Sequence, residues 1–145
     1  MKTIIAGVRG LTDGDLVFRE VNRLNAFLHI TEVFSGRATG ADYWGEEWAK
    51  ANNVPIRPFP ADWAGLGKKA GPIRNNQMAD LADALIAFWD GFSPGTKNML
   101  EEMCNRAKPS YVVGLGKNYG SVMKAYRRRG EVVRRWEDKK PFEEV

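Results

Sequence analysis

The chain has 145 residues, 43% of them apolar, with 15 glycines and one cysteine. That length supports a single domain with a substantial core, the composition excludes global disorder, and a lone Cys104 excludes an intrachain disulfide. The net charge of +4 sits entirely in residues 117–145, which hold 9 Lys/Arg and 5 Asp/Glu, whereas residues 1–116 hold 13 of each sign. A nucleic-acid reading therefore concerns the tail alone.

No apolar run approaches the roughly 18–20 residues of a membrane span. The short, glycine-broken start reads as a strand rather than a secretory segment, so the cytoplasm is the expected location. Lys2 to Val8 is that first strand, and Thr12 or Asp13 caps a helix carrying Val17, Val21, Leu24 and Leu28. Glu32 to Ser35 is the second strand. A helix with Ala41, Trp44, Gly45, Trp48 and Ala49 on its periodic positions follows, and Asn52-Asn53 ends it. Pro55 to Phe59 suits an edge strand, because proline cannot donate to a ladder.

Residues 60–71 read as a long loop without periodicity, a length that is often functional. Pro72 suits the first position of the next helix. Ala84 to Trp89 is apolar throughout, as a strand buried on both faces should be. A helix from about Gly95 to Ala107, a fifth strand from Ser110 to Leu115, a helix over Val122 to Arg129 and a short strand from Glu131 to Trp136 complete the reading. Alternating strands and helices predict a three-layer α/β sandwich with a mainly parallel sheet.

Two glycine-rich segments at strand ends carry the chemistry. Ser35-Gly36-Arg37-Ala38-Thr39-Gly40-Ala41-Asp42 joins a strand to a helix start, where unpaired N–H groups and the helix dipole favour a phosphate or carboxylate. Asp90-Gly91-Phe92-Ser93-Pro94-Gly95-Thr96 repeats the arrangement after the next apolar strand. Neither has Walker A or GxGxxG spacing. Two such loops in one small domain predict a single nucleotide-type ligand held between them.

Other side chains join this set. Arg9, directly after the first strand, suits a phosphate or base contact. Arg74 and Asn75 fall in the first turn of their helix, where a cation opposes the dipole, so Arg74 is expected to face ligand. Asp42, Asp62 and Asp90 could accept sugar hydroxyls, and Trp63 could stack on a base or plug the core edge. Glu46 and Asp90 are the candidate acid/base groups. His29, the only histidine, reads as a surface or helix-cap residue, which leaves a serine hydrolase without a base. Cys104 reads as core. No cluster has metal-ligand spacing, and no cofactor is called for. Arg127-Arg128-Arg129, Arg134 and Arg135 are interleaved with Glu131, Glu137 and Asp138, and so read as a solvated tail or oligomer contact rather than a nucleic-acid surface.

Taken together, Gly7-Val8-Arg9, the Ser35–Asp42 segment with Glu46 and Trp48, Pro60-Ala61-Asp62-Trp63, Lys69 to Asn75 with Met78, and Phe88 to Thr96 resemble the SLOG superfamily of Rossmann-like domains, in the branch related to YspA and the cytoplasmic YpsA type. The resemblance implies binding of a nucleotide-derived molecule such as ADP-ribose or an NAD relative, for sensing or sequestration, and homo-oligomerisation. It gives Gly7, Gly91, Ser93, Gly95 and Thr96 the same ligand-facing role as Ser35, Gly36, Arg37, Ala38 and Gly40. The superfamily also contains LOG-type phosphoribohydrolases, which carry a glutamate three residues after a Gly-Thr; here Met99 stands in that position after Gly95-Thr96. The resemblance covers a domain over 1–116, leaving 117–145 as a basic helix/strand extension.

Overall fold

The computed structural model describes residues 1–116 in full, and 122–128 and 131–137 as strands. Its elements are β1 (Lys2–Gly7), α1 (Gly14–Leu28), β2 (Glu32–Ser35), α2 (Ala41–Ala51), β3 (Ile56–Pro58), α3 (Trp63–Leu66), α4 (Ala70–Leu81), β4 (Ala84–Trp89), α5 (Pro94–Asn105), β5 (Ser110–Gly114), β6 (Val122–Arg128) and β7 (Glu131–Glu137). The strands form one sheet in the order β3-β2-β1-β4-β5-β6-β7, with the first five parallel. The chain winds outward from β1 to β3, then crosses to β4 on the other side of β1. The strand order thus reverses between β1 and β4.

Both faces of the central strands are buried, and successive residues alternate between two cores. Ile5, Ile86, Phe88 and Val113 pack under Val17, Val21, Leu24 and Trp48 of α1 and α2. Ile4, Leu85, Ala87 and Val112 pack under Met78, Met99, Met103 and Cys104 of α4 and α5. This is a three-layer Rossmann-like sandwich, and the period-2 alternation of the strands generates it. The helix starts follow the expected chemistry at α1, where Asp13 Oδ1 accepts from Leu16 N at 3.1 Å.

Two sequence expectations fail. Residues 60–71 are not an irregular loop. Asp62 Oδ1 accepts from Gly65 N at 3.0 Å and caps α3, a 3₁₀ turn over Gly67–Lys69 follows, and α4 already starts at Ala70. Pro72 therefore lies inside the first turn of α4, where its missing N–H costs no intrahelical bond.

Val122–Arg128 is a strand rather than a helix. It pairs antiparallel with β5, Val113 opposite Val122 and Ser110 opposite Ala125, and continues into β7. Met, Lys, Ala and Arg are good helix formers, but the open edge of β5 supplies ladder bonds that local propensity cannot match. Arg129, also expected to be helical, lies outside the described residues.

Candidate functional site

A cavity of about 580 Å³ opens beyond the C-terminal ends of β1 and β4, where the strand order reverses. Open α/β sheets form ligand crevices at this point because the chains leaving the two strands diverge to opposite faces. Gly7 and Arg9 line it from the end of β1, Ala38 and Asp42 from the first glycine loop and α2, and Trp63, Arg74 and Asn75 from α3 and α4. Asp90, Ser93, Gly95 and Thr96 close it from the turn before α5 and that helix's first turn.

The start of α5 offers free donors. Pro94 has no N–H, Lys97 N donates to Ser93 O at 3.1 Å, and the N–H groups of Gly95 and Thr96 have no intrahelical acceptor. With the helix dipole behind them, these groups favour an anion. Asp90 shapes the approach: its Oδ1 accepts from Phe92 N at 2.9 Å and from Ser93 N at 3.0 Å, and these two bonds hold its carboxyl below the usual carboxylate range. Trp89 Nε1 donates to Ser93 O at 3.1 Å, and Thr96 Oγ1 to Ser93 Oγ at 3.2 Å.

The first glycine loop is built differently, with its polar groups closed on one another. Ala41 N donates to Val8 O at 3.2 Å and Ala38 N to Asp42 Oδ2 at 3.2 Å. Ser35 Oγ donates to Glu46 Oε2 at 2.6 Å, Arg37 N donates to Ser35 Oγ at 3.1 Å, and the Arg37 guanidinium pairs with Glu46 Oε1.

The glycines of this loop serve its packing. A Cβ at Gly40, whose φ is +72°, would overlap the carbonyls of Val8 and Arg9. One at Gly36 would collide with the Arg74 guanidinium and the Asp42 carboxylate. Ser35, Gly36, Arg37 and Gly40 do not line the cavity, and neither do Asp62 and Gly91. Glu46 lines a separate depression with Arg37 and Tyr43, on the other side of the loop from Asp90. The two candidate acid/base groups are therefore not brought together.

Arg74 ties the parts of the site into one frame. Its Nη1 donates to Gly36 O at 2.6 Å and Phe59 O at 3.4 Å, and its Nε to Asn75 Oδ1 at 2.9 Å. Asn75 Nδ2 in turn donates to Asn98 Oδ1 at 2.9 Å and Gly95 O at 3.4 Å, so α4 links the first loop to the start of α5. Burial lowers the Arg74 pKa from its ordinary value, opposed by the nearby Asp42 charge. Asp42, 5% exposed, is raised to about 6. Burial is the main cause; the Ala38 N–H, Arg74 and Arg9 pull the other way, and Glu46 adds to the rise. The Arg9 guanidinium lies over the Trp63 ring, 5.4 Å from its centroid.

Lys68 and Asn98 also line the cavity and escaped the sequence reading. Lys68 belongs to the turn that looked irregular, whereas Asn98 carried a usable signal, one helical turn beyond Gly95. Met99 lines the wall too, where LOG-type enzymes would carry their glutamate. Among the described residues no group of three or more His, Cys, Asp or Glu is arranged to hold a metal ion, and no helix is long and apolar enough to cross a membrane.

Comparison with known proteins is consistent with this architecture. Gene 61 protein of Mycobacterium phage D29 is 40% identical to this chain over 76 residues, 48% of this chain and 61% of that protein. The chain thus matches about three fifths of the length of that curated relative. The family model described as YAcAr, for YspA, cpYpsA-related SLOG family, matches residues 1–65, which hold β1 to β3, the first glycine loop, Asp42 and Trp63. Residues 1–65 are thus similar to the YspA, cpYpsA-related SLOG family.

Proposed function

We propose that this domain binds a nucleotide-derived small molecule, of the ADP-ribose or NAD-related kind, and acts as a sensor or sequestering module. The similarity of residues 1–65 to this family supports nucleotide-related ligand binding or LOG-like activity in general terms. The observation that carries the narrower reading is the pairing, in one cavity at the strand-order reversal, of free α5 N–H groups with three cationic side chains, Arg9, Lys68 and Arg74. A phosphate would sit on Gly95 N and Thr96 N. A base would lie against Trp63, which is half-exposed beneath Arg9. Binding is favoured over LOG-type hydrolysis because Met99 stands where those enzymes carry their glutamate and supplies no proton-transfer group there.

The test is to incubate the protein with AMP, NAD, ADP-ribose and cyclic ADP-ribose isomers, filter, and chromatograph the filtrate. Depletion of one compound, recovered intact after the protein is denatured, is the expected result. Free base and ribose phosphate accumulating with time would make the protein a hydrolase. A filtrate unchanged in all four compounds would overturn the nucleotide reading.

A further inference from the structure

We infer that Asp42 is the proton-linked acceptor of this cavity: sugar hydroxyls of the ligand dock on its carboxylate, and binding expels a proton. The inference rests on the nucleotide reading above and adds a regulation to it, namely that ligand capture depends on pH.

The three acids that could accept hydroxyls are not equivalent. Asp62 is engaged as the cap of α3 and lies outside the cavity wall. Asp90 is exposed, and its Oδ1 already holds two backbone N–H groups of the turn before α5. Asp42 is buried and lines the cavity, and among the described residues its one hydrogen bond is the Ala38 N–H on Oδ2, so none of them donates to Oδ1. A buried carboxylate oxygen without a partner carries a desolvation penalty that a ligand's donors would remove.

The surrounding charges leave that place open. From α4, the Arg74 Nη1 donates to Gly36 O and Phe59 O rather than to Asp42. Arg9, beyond β1, stacks over Trp63. Glu46 on α2 is held by Ser35 and Arg37, and Lys68 and Asp90 line the cavity beyond. Asp42 therefore feels two guanidinium groups without pairing with either, and burial keeps its pKa near 6.

Two hydroxyl donors on Oδ1 favour the ionised form. A phosphate on α5 opposes this only weakly. α2 and α5 start at the ends of β2 and β4, two strand spacings or about 10 Å apart, farther than the hydroxyls in direct contact with the carboxylate.

Isothermal titration with ADP-ribose, whose pyrophosphate does not titrate near pH 6, tests this in two phosphate-free buffers of different ionisation enthalpy. The expected result at pH 6 is release of about half a proton per ligand bound, with affinity rising about tenfold from pH 5 to 7. Asp42→Asn, which can still accept from Ala38 N, should bind at least fivefold more weakly and release no proton. Binding by the wild type without proton release, or unchanged release in Asp42→Asn, would overturn the role of Asp42 while leaving the nucleotide reading standing. Absence of ADP-ribose binding by the wild type would overturn the role of Asp42 as stated here, whereas the nucleotide reading falls only if AMP, NAD and cyclic ADP-ribose go unbound as well.

Discussion

Asp42 concentrates the conflict between stability and function in one side chain. Its folded pKa, about 6, lies above the ordinary carboxyl value of 3.8, so the folded protein binds more protons than the unfolded chain between those values. Its contribution to stability is therefore greatest below about pH 4 and declines as pH rises toward 6. At neutral pH the buried carboxylate costs on the order of 3 kcal/mol relative to an uncharged equivalent. Asp42→Asn should accordingly raise the melting temperature of the free protein at pH 7 and flatten its pH dependence between 4 and 6. A melting temperature lowered at pH 7 would mean that Arg74 and Arg9 compensate the charge fully. Arg74→Ala acts in the opposite direction: it leaves the carbonyls of Gly36 and Phe59 without their donor and should destabilise by about 1–3 kcal/mol in urea unfolding.

At the scale of elements, two loops that look alike in sequence differ in what their glycines do. Gly40 makes room for the backbone of residues 8 and 9, so Gly40→Val should be measurably unfolded by circular dichroism or melt far below the wild type. The sequence reading assigned Gly40 to close approach by the ligand. The packing demand at Gly40 is not legible locally, because the atoms that exclude a Cβ lie some thirty residues earlier in the chain. The strands were legible because Ile4-Ile5 and Ala84 to Trp89 are apolar on both faces, a pattern only a central strand explains. α1 was legible through its 3.6-residue period. α3 was not, since one turn of helix fixed by the Asp62 cap leaves no periodicity to read. β6 was misread because its partner edge, rather than its composition, decides its conformation.

For the molecule as a whole, the position of the site follows from topology: β1 and β4 are neighbours in the sheet but far apart in sequence, and the cavity is the gap their outgoing chains leave. The loops and Arg9, Arg74 and Trp63 could be listed from sequence. That Glu46 faces away from the cavity while Lys68 and Asn98 face into it could not, because side-chain direction depends on helix phase and on the Arg37 pairing. The β6–β7 pair covers the edge of β5, whose five residues are all buried. Truncation after Gly116 should therefore expose an apolar parallel edge and produce association visible in size-exclusion chromatography, whatever the tail binds. A truncated protein that stays monomeric with an unchanged melting temperature would show that this cover is dispensable.

The central claim is that the free N–H groups at the start of α5 hold the ligand's phosphate, and Gly95→Val tests it most directly. A Cβ at Gly95 meets nothing within 4 Å, so the variant should fold and melt as the wild type does, while its isopropyl group stands in the cavity beside the donors. The measurement is the ADP-ribose dissociation constant of the two proteins at pH 7. The account predicts at least a tenfold loss of affinity, about 1.4 kcal/mol, in the folded variant. An unchanged dissociation constant with an unchanged melting temperature would contradict it.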